Sequence, residues 1–142
     1  MTRLTRRYRF SASHRLHSTE LSESKNRELY GKCNNPYGHG HDYVLEVSLE
    51  GPLDPATGRV VNVEAMDRLV REQVLEVFDH KDLNSDVPEF AAVTPTTENL
   101  AVEIRRRLTE HWKAAFREPS PALQRIRIHE TRRNVFEITG RL

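Results

Sequence analysis

The stretch "KCNNPYGHGHDY", Lys32 to Tyr43, holds the single cysteine of the chain, Cys33, and two histidines separated by one glycine, His39 and His41. On a strand, residues i and i+2 point to one face, so both imidazoles look the same way. His14 ends a second alternating run, "RYRFSASH", on that run's apolar face. If the two strands are neighbours, three imidazoles converge. Zn2+ takes nitrogen and sulfur donors tetrahedrally, and a catalytic zinc keeps three protein ligands with a fourth position open. Cys33 would then close the site as a fourth ligand, stand beside it as a reactive thiol, or be a loop residue without chemistry. The run "CNNPYG" is turn-forming and does not choose among these. His17 lies beyond the strand and reads as loop, and His111 and His129 read as surface or sheet residues.

Two further places carry ionisable groups of interest. "FDHKDLN" sets Asp79 and His80 where a helix ends. A helix C-terminus and a neighbouring carboxylate both favour imidazolium. Beside Cys33, such a cation would favour thiolate; ordinary capping is the plainer use of the pair. Glu130 follows "RIRIH" in register with Ile126 and Ile128, on the apolar side. A carboxylate there must be paired with an arginine or must bind something. Adjacent N–H donors on a pterin or guanine edge suit bidentate acceptance.

These groups need a scaffold. In "RYRFSASH", Tyr8, Phe10, Ala12 and His14 share one face. From His39 the alternation resumes, with Tyr43, Leu45, Val47 and Leu49 on the histidine side and Asp42, Glu46, Ser48 and Glu50 on the other. Between them, Ser18 to Lys32 is unpatterned and reads as a loop with at most a short helix. "GPLDPATG" is a turn, and "RVVNV" after it reads as the returning strand of a hairpin. Met66, Leu69, Val70, Val74, Val77 and Phe78 repeat as an amphipathic helix capped near Asn62. "TPTTENLAVEIRRRLTEHW" opens a second helix on capping threonines, with Leu100, Ile104, Leu108 and Trp112 on its buried side. "LQRIRIHE" and "NVFEITGRL" close the chain as strands. The order predicts an α+β fold, an antiparallel sheet with helices on one face. Its open edges invite pairing with other copies.

The 142 residues suit one domain, residues 1–142. Lys and Arg number 22 against 21 Asp and Glu, so the net charge of +1 gives no drive toward nucleic acid or membrane. No apolar run is long enough to span a bilayer. "MTRLTRRYRF" is basic without an apolar signal segment after it, and one cysteine allows no intrachain disulfide. The expected location is cytoplasmic.

"FSASHRL", "GKCNNPYGHGH", "DPATG", "DHKDLN", "DVPEFA", "TTEN" and "ETRRN" follow one another in an order that resembles the 6-pyruvoyl-tetrahydropterin synthase family, from about Arg7 to near the C-terminus. The resemblance implies a T-fold: a four-stranded antiparallel sheet with two helices per subunit. Trimers would close the sheets into a barrel and two trimers would stack as a homohexamer, with active sites between subunits. It implies that His14, His39 and His41 hold Zn2+. It implies that Cys33 is the catalytic thiol with Asp79 and His80 as partners, that Glu130 anchors a pterin, and that Thr96, Thr97 and Glu98 line its pocket. The implied reaction is a lyase reaction converting 7,8-dihydroneopterin triphosphate to 6-pyruvoyl-tetrahydropterin, with triphosphate eliminated, as in tetrahydrobiopterin synthesis. The alternative is 6-carboxy-5,6,7,8-tetrahydropterin synthase of queuosine biosynthesis, which resembles it in zinc triad and substrate. The loop before its histidines usually reads shorter, so the "NNP" here favours the pyruvoyl enzyme.

Overall fold

The computed structural model describes residues 1–140. Strand β1 runs Thr2–His14 and strand β2 His39–Gly51. They pair antiparallel over their full length, from Thr2 opposite Gly51 to His14 opposite His39. Between them the chain makes an excursion that includes helix α1, Glu23–Tyr30, and a 3-10 turn, Gly31–Asn34. Ser22 caps α1 by accepting from the Lys25 N–H. The buried Asn26 pins the excursion: its side-chain oxygen accepts from Ser18 N–H at 2.7 Å and its amide donates to the Ser18 carbonyl at 2.9 Å.

Helix α2, Val63–Val70, is capped by Asn62 and runs through a π-helical turn, Arg71–Leu75, into α3, Glu76–Phe78. Strand β3 is two residues, Lys81–Asp82, followed by the short α4, Leu83–Asp86. The long helix α5, Thr97–Ala115, precedes β4, Ala122–His129, and β5, Val135–Thr139. Among the described residues, no helix is long and apolar enough to cross a membrane.

The sheet has five strands in the order β3-β1-β2-β4-β5. It is mixed, because β3 runs parallel to β1. This corrects the four-stranded antiparallel expectation. It also corrects the hairpin: Arg59 to Val61 form no strand, and the "DPATG" turn closes on itself through Gly58 N–H to Asp54 at 2.7 Å. The reason is topological. β2 already pairs with β1 on one side and β4 on the other, so no edge remains for a returning strand. Val61 turns into the core instead and Asn62 starts the helix.

The helices cover one face. Phe10, Tyr43, Leu45, Val47, Leu49, Ile126 and Ile128 from the sheet join Met66, Val74, Phe78, Leu100, Ile104 and Leu108 in one apolar cluster. Removing such side chains from water is the main stabilising term, about 1.5–3 kcal/mol for each large one. Arg6 grips Asp67 with two bonds of 2.8 Å and Tyr8 donates to the same carboxylate, tying β1 to α2. At the other end of β1 the apolar face turns polar, and there the histidines lie.

Candidate metal centre and adjoining pocket

Period-two alternation brings His14, His39 and His41 to one end of the helix-covered face. The register places His14 opposite His39 and Ala12 opposite His41. One ring nitrogen from each of the three histidines and the Cys33 sulfur all lie within 4.8 Å of one another, a group able to hold a metal ion. His14 Nε2 and His41 Nε2 are 3.1 Å apart, and Cys33 Sγ is 3.0 Å from His39 Nε2.

The tautomer of His14 follows from its other nitrogen. Nδ1 lies 2.9 Å from the Pro95 carbonyl, which only accepts, so Nδ1 carries the proton. Nε2 then presents a lone pair to His41. Two ring nitrogens this close need a proton or a cation between them. Burial pushes His14 and His41 below the usual histidine range; the neighbouring imidazoles add to this and the Glu130 charge opposes it. Neutral imidazoles are what a metal requires, since ligands bind deprotonated. The donor set, three imidazoles and a thiol, fits a borderline-soft ion such as zinc.

Two backbone features hold the cluster. Gly38 has φ +67°, and a Cβ there would stand 2.5 Å from the His14 carbonyl oxygen. Only glycine lets the returning chain pass so close to the first ligand. Leu16 N–H donates to the Cys33 carbonyl at 2.6 Å, which brings the thiol turn against the end of β1. The Cys33 thiol is half-buried; burial first, then the Glu130 charge, pushes its pKa up.

Glu130 follows β4 and accepts a hydrogen bond from the Thr97 hydroxyl. Among the described residues it makes no ion pair with an arginine, and its charge bears on His14, His41, Cys33 and Tyr43. The carboxylate therefore lies near the histidine cluster and the thiol. Of the "TTE" segment, Thr97 contacts Glu130. Thr96 is the N-cap of α5, accepting from Asn99 N–H at 3.1 Å, and Glu98 is exposed in the first turn.

Asp79 and His80 are held elsewhere. Asp79 Oδ1 accepts from Ser11 N–H at 2.9 Å, and His80 N–H donates to the Ser11 carbonyl at 2.6 Å. This double bond to β1 holds His80 at φ +59° with its ring 83% exposed and 3.6 Å from Asp79. The ring borders a groove with Ser11, Ser13 and Asp42, whose side chains alternate with those of the histidines. Within one chain, His80 is thus not a hydrogen-bond partner of Cys33. His17 contacts Asn34 at 3.0 Å, outside the cluster.

The 6-pyruvoyl tetrahydropterin synthase family model matches residues 3–141. The chain belongs to the 6-pyruvoyl tetrahydropterin synthase family. A 6-pyruvoyl tetrahydrobiopterin synthase of Poecilia reticulata is 48% identical over 137 residues, covering 96% of this chain and 89% of the relative. A 6-carboxy-5,6,7,8-tetrahydropterin synthase of Rickettsia bellii is 27% identical over 123 residues, covering 76% of this chain and 80% of the relative. Kinship thus lies with the pyruvoyl enzymes. The solved structure of Caenorhabditis elegans 6-pyruvoyl tetrahydropterin synthase superposes with a TM-score of 0.86 at 38% identity, covering 99% of this chain and 96% of that one.

Sequence reasoning missed Tyr43, Gly38 and the Pro95 carbonyl as parts of the site. Tyr43 was legible by parity, two residues after His41. A backbone carbonyl such as that of Pro95 leaves no mark in side-chain patterns.

Proposed function

We propose that this chain is a zinc-dependent lyase converting 7,8-dihydroneopterin triphosphate to 6-pyruvoyl-tetrahydropterin, with elimination of triphosphate. The observation that carries this reading is the convergence of three imidazoles and a thiol, with a nearby carboxylate that pairs with no arginine among the described residues, in a member of this family. His14, His39 and His41 hold the ion. When bound, Zn2+ supplies Lewis acidity at the substrate's side-chain hydroxyls.

The remaining chemistry belongs to the chain. Glu130 accepts the amino and ring N–H of the pterin and fixes the ring so that its side chain faces the metal ligands. Thr97 orients Glu130 through its hydroxyl. Cys33 takes and returns protons at the side-chain carbons as general base. Asp79 and His80 bond to Ser11 rather than to Cys33, which favours their serving a thiol on a neighbouring subunit. The two edge strands, β3 and β5, support the matching assembly: T-fold sheets joined into a barrel within trimers, two trimers forming a cytoplasmic homohexamer.

Product analysis tests the reaction. Incubation with 7,8-dihydroneopterin triphosphate yields the 6-pyruvoyl product by mass spectrometry; a 6-carboxy product with acetaldehyde would refute the reading. Cys33→Ser is expected to keep stoichiometric zinc and lose turnover about 100-fold or more. Loss of zinc together with stability would instead make the thiol a ligand.

A further inference from the structure

The carbonyl that fixes the His14 tautomer belongs to Pro95, which is buried just ahead of α5. Proline has no N–H of its own to anchor it. What aims its carbonyl is the next peptide unit. The Pro95–Thr96 peptide is trans and planar, so its C=O and its N–H point to opposite edges. Thr96 N–H donates to the Thr94 carbonyl at 2.8 Å, closing a γ-turn centred on Pro95. With that edge held, the Pro95 C=O on the other edge meets His14 Nδ1 at 2.9 Å. The aim of the carbonyl therefore depends on where Thr94 stands.

Asn99, in the first turn of α5, holds Thr94. Its side-chain amide donates to the Thr94 carbonyl at 2.8 Å, and its backbone N–H donates to the Thr96 hydroxyl at 3.1 Å. Both flanks of Pro95 are thus tied to one residue. The Thr96 bond is ordinary N-capping. The side-chain bond is a different matter, because Thr94 lies outside the helix and caps nothing. Asparagine is also a poor helix former, so the helix itself does not call for it. Asn99 closes the "TTEN" stretch, and its amide is spent on the turn that carries the Pro95 carbonyl.

We propose that Asn99 is a positioning residue for the metal ligand His14, acting through Thr94 and the Pro95 carbonyl. Held this way, the carbonyl keeps the His14 proton on Nδ1 and leaves the Nε2 lone pair for the ion. Groups that hold the far nitrogen of a ligating histidine fix its ring and raise its basicity, and a residue that aims such a group acts one step further back. This rests on the zinc reading above.

Asn99→Asp keeps the shape and the backbone N–H but replaces the donating amide with an acceptor. Asn99→Ala repeats the test should the introduced carboxylate unfold the chain. Zinc affinity is measured by competition with a chromogenic chelator. On the zinc-loaded proteins, NMR follows the His14 Nδ1–H proton and its exchange with water. Both variants are expected to bind zinc about ten-fold more weakly. Their His14 Nδ1–H resonance moves upfield and exchanges faster, as a weakened bond to the Pro95 carbonyl requires. Unchanged zinc affinity overturns the inference while leaving the zinc reading standing. Weaker zinc binding with the His14 proton unmoved also overturns it, since a general loss of structure then suffices. If the wild type itself binds no zinc, the zinc reading falls and this inference with it.

Discussion

His14 and His129 lie on opposite faces of one sheet and illustrate two fates of histidine. On the solvent-side face, His129 donates to Glu46 at 2.5 Å, with Arg7 3.7 Å from the same carboxylate. Burial alone would raise the Glu46 pKa. The His129 bond and the Arg7, His129 and Arg127 charges outweigh it and hold the carboxyl below its usual range. That histidine is paired with a carboxylate through Nε2, and among the described residues it belongs to no group of donors able to hold a metal. On the helix-side face, His14 gives its proton to a backbone carbonyl and meets other imidazoles. Its remaining lone pair faces His41 Nε2 at 3.1 Å. A histidine is set up as a ligand when its far nitrogen is fixed by an acceptor and its near nitrogen faces other donors.

The contrast breaks most directly at the ligands. His41→Ala is expected to weaken zinc binding about 100-fold or more and to abolish turnover, whereas His129→Ala leaves zinc binding unchanged, both read by metal titration. Equal losses would erase the distinction between the faces. The cost of His129→Ala falls on stability instead, about 1–3 kcal/mol in urea unfolding, because Glu46 remains buried without its main donor. Gly38→Ala sharpens the difference from the backbone side. It forces strain of about 1–2 kcal/mol at the His14 carbonyl, so it lowers zinc affinity roughly ten-fold and leaves the His129 pair untouched. The smallest effect is in pH. A depressed carboxyl contributes stability that is complete above its ordinary value near 4.5 and is lost as pH falls through its lower folded value. Glu46→Gln is therefore expected to flatten the acid limb of urea-unfolding midpoints measured between about pH 3 and 6.

Much of this was legible because strands of strict period two declare their faces. Tyr8, Phe10, Ala12 and His14 alternate cleanly, and so do His39 to Leu49, so the convergence of the histidines followed once the strands were neighbours. The capped helices were legible for the same reason, in Asn62 and Thr96. Lys81–Asp82 was not, since two charged residues carry no period. "RVVNV" misled because its β-branched residues satisfy a strand pattern, while the competition for the edges of β2 is a property of the whole sheet. The surroundings of Cys33 were open in sequence because a 3-10 turn has no long-range pattern to say what its side chains meet.

One consequence of the β1–β2 register concerns the excursion from Arg15 to Gly38. The chain leaves the sheet at His14 and returns to it at His39, directly across the ladder. An ion shared by these two residues and His41 would sit at the neck of that loop and clasp it shut. In a chain whose single cysteine allows no internal crosslink, coordination would add to the hydrogen bonds at this neck, such as Leu16 N–H to the Cys33 carbonyl, a stronger tie. Chelation should then loosen Asn26, α1 and the thiol turn before it touches the helices beneath the sheet, so that a bound metal would serve as a fastener as well as a reagent.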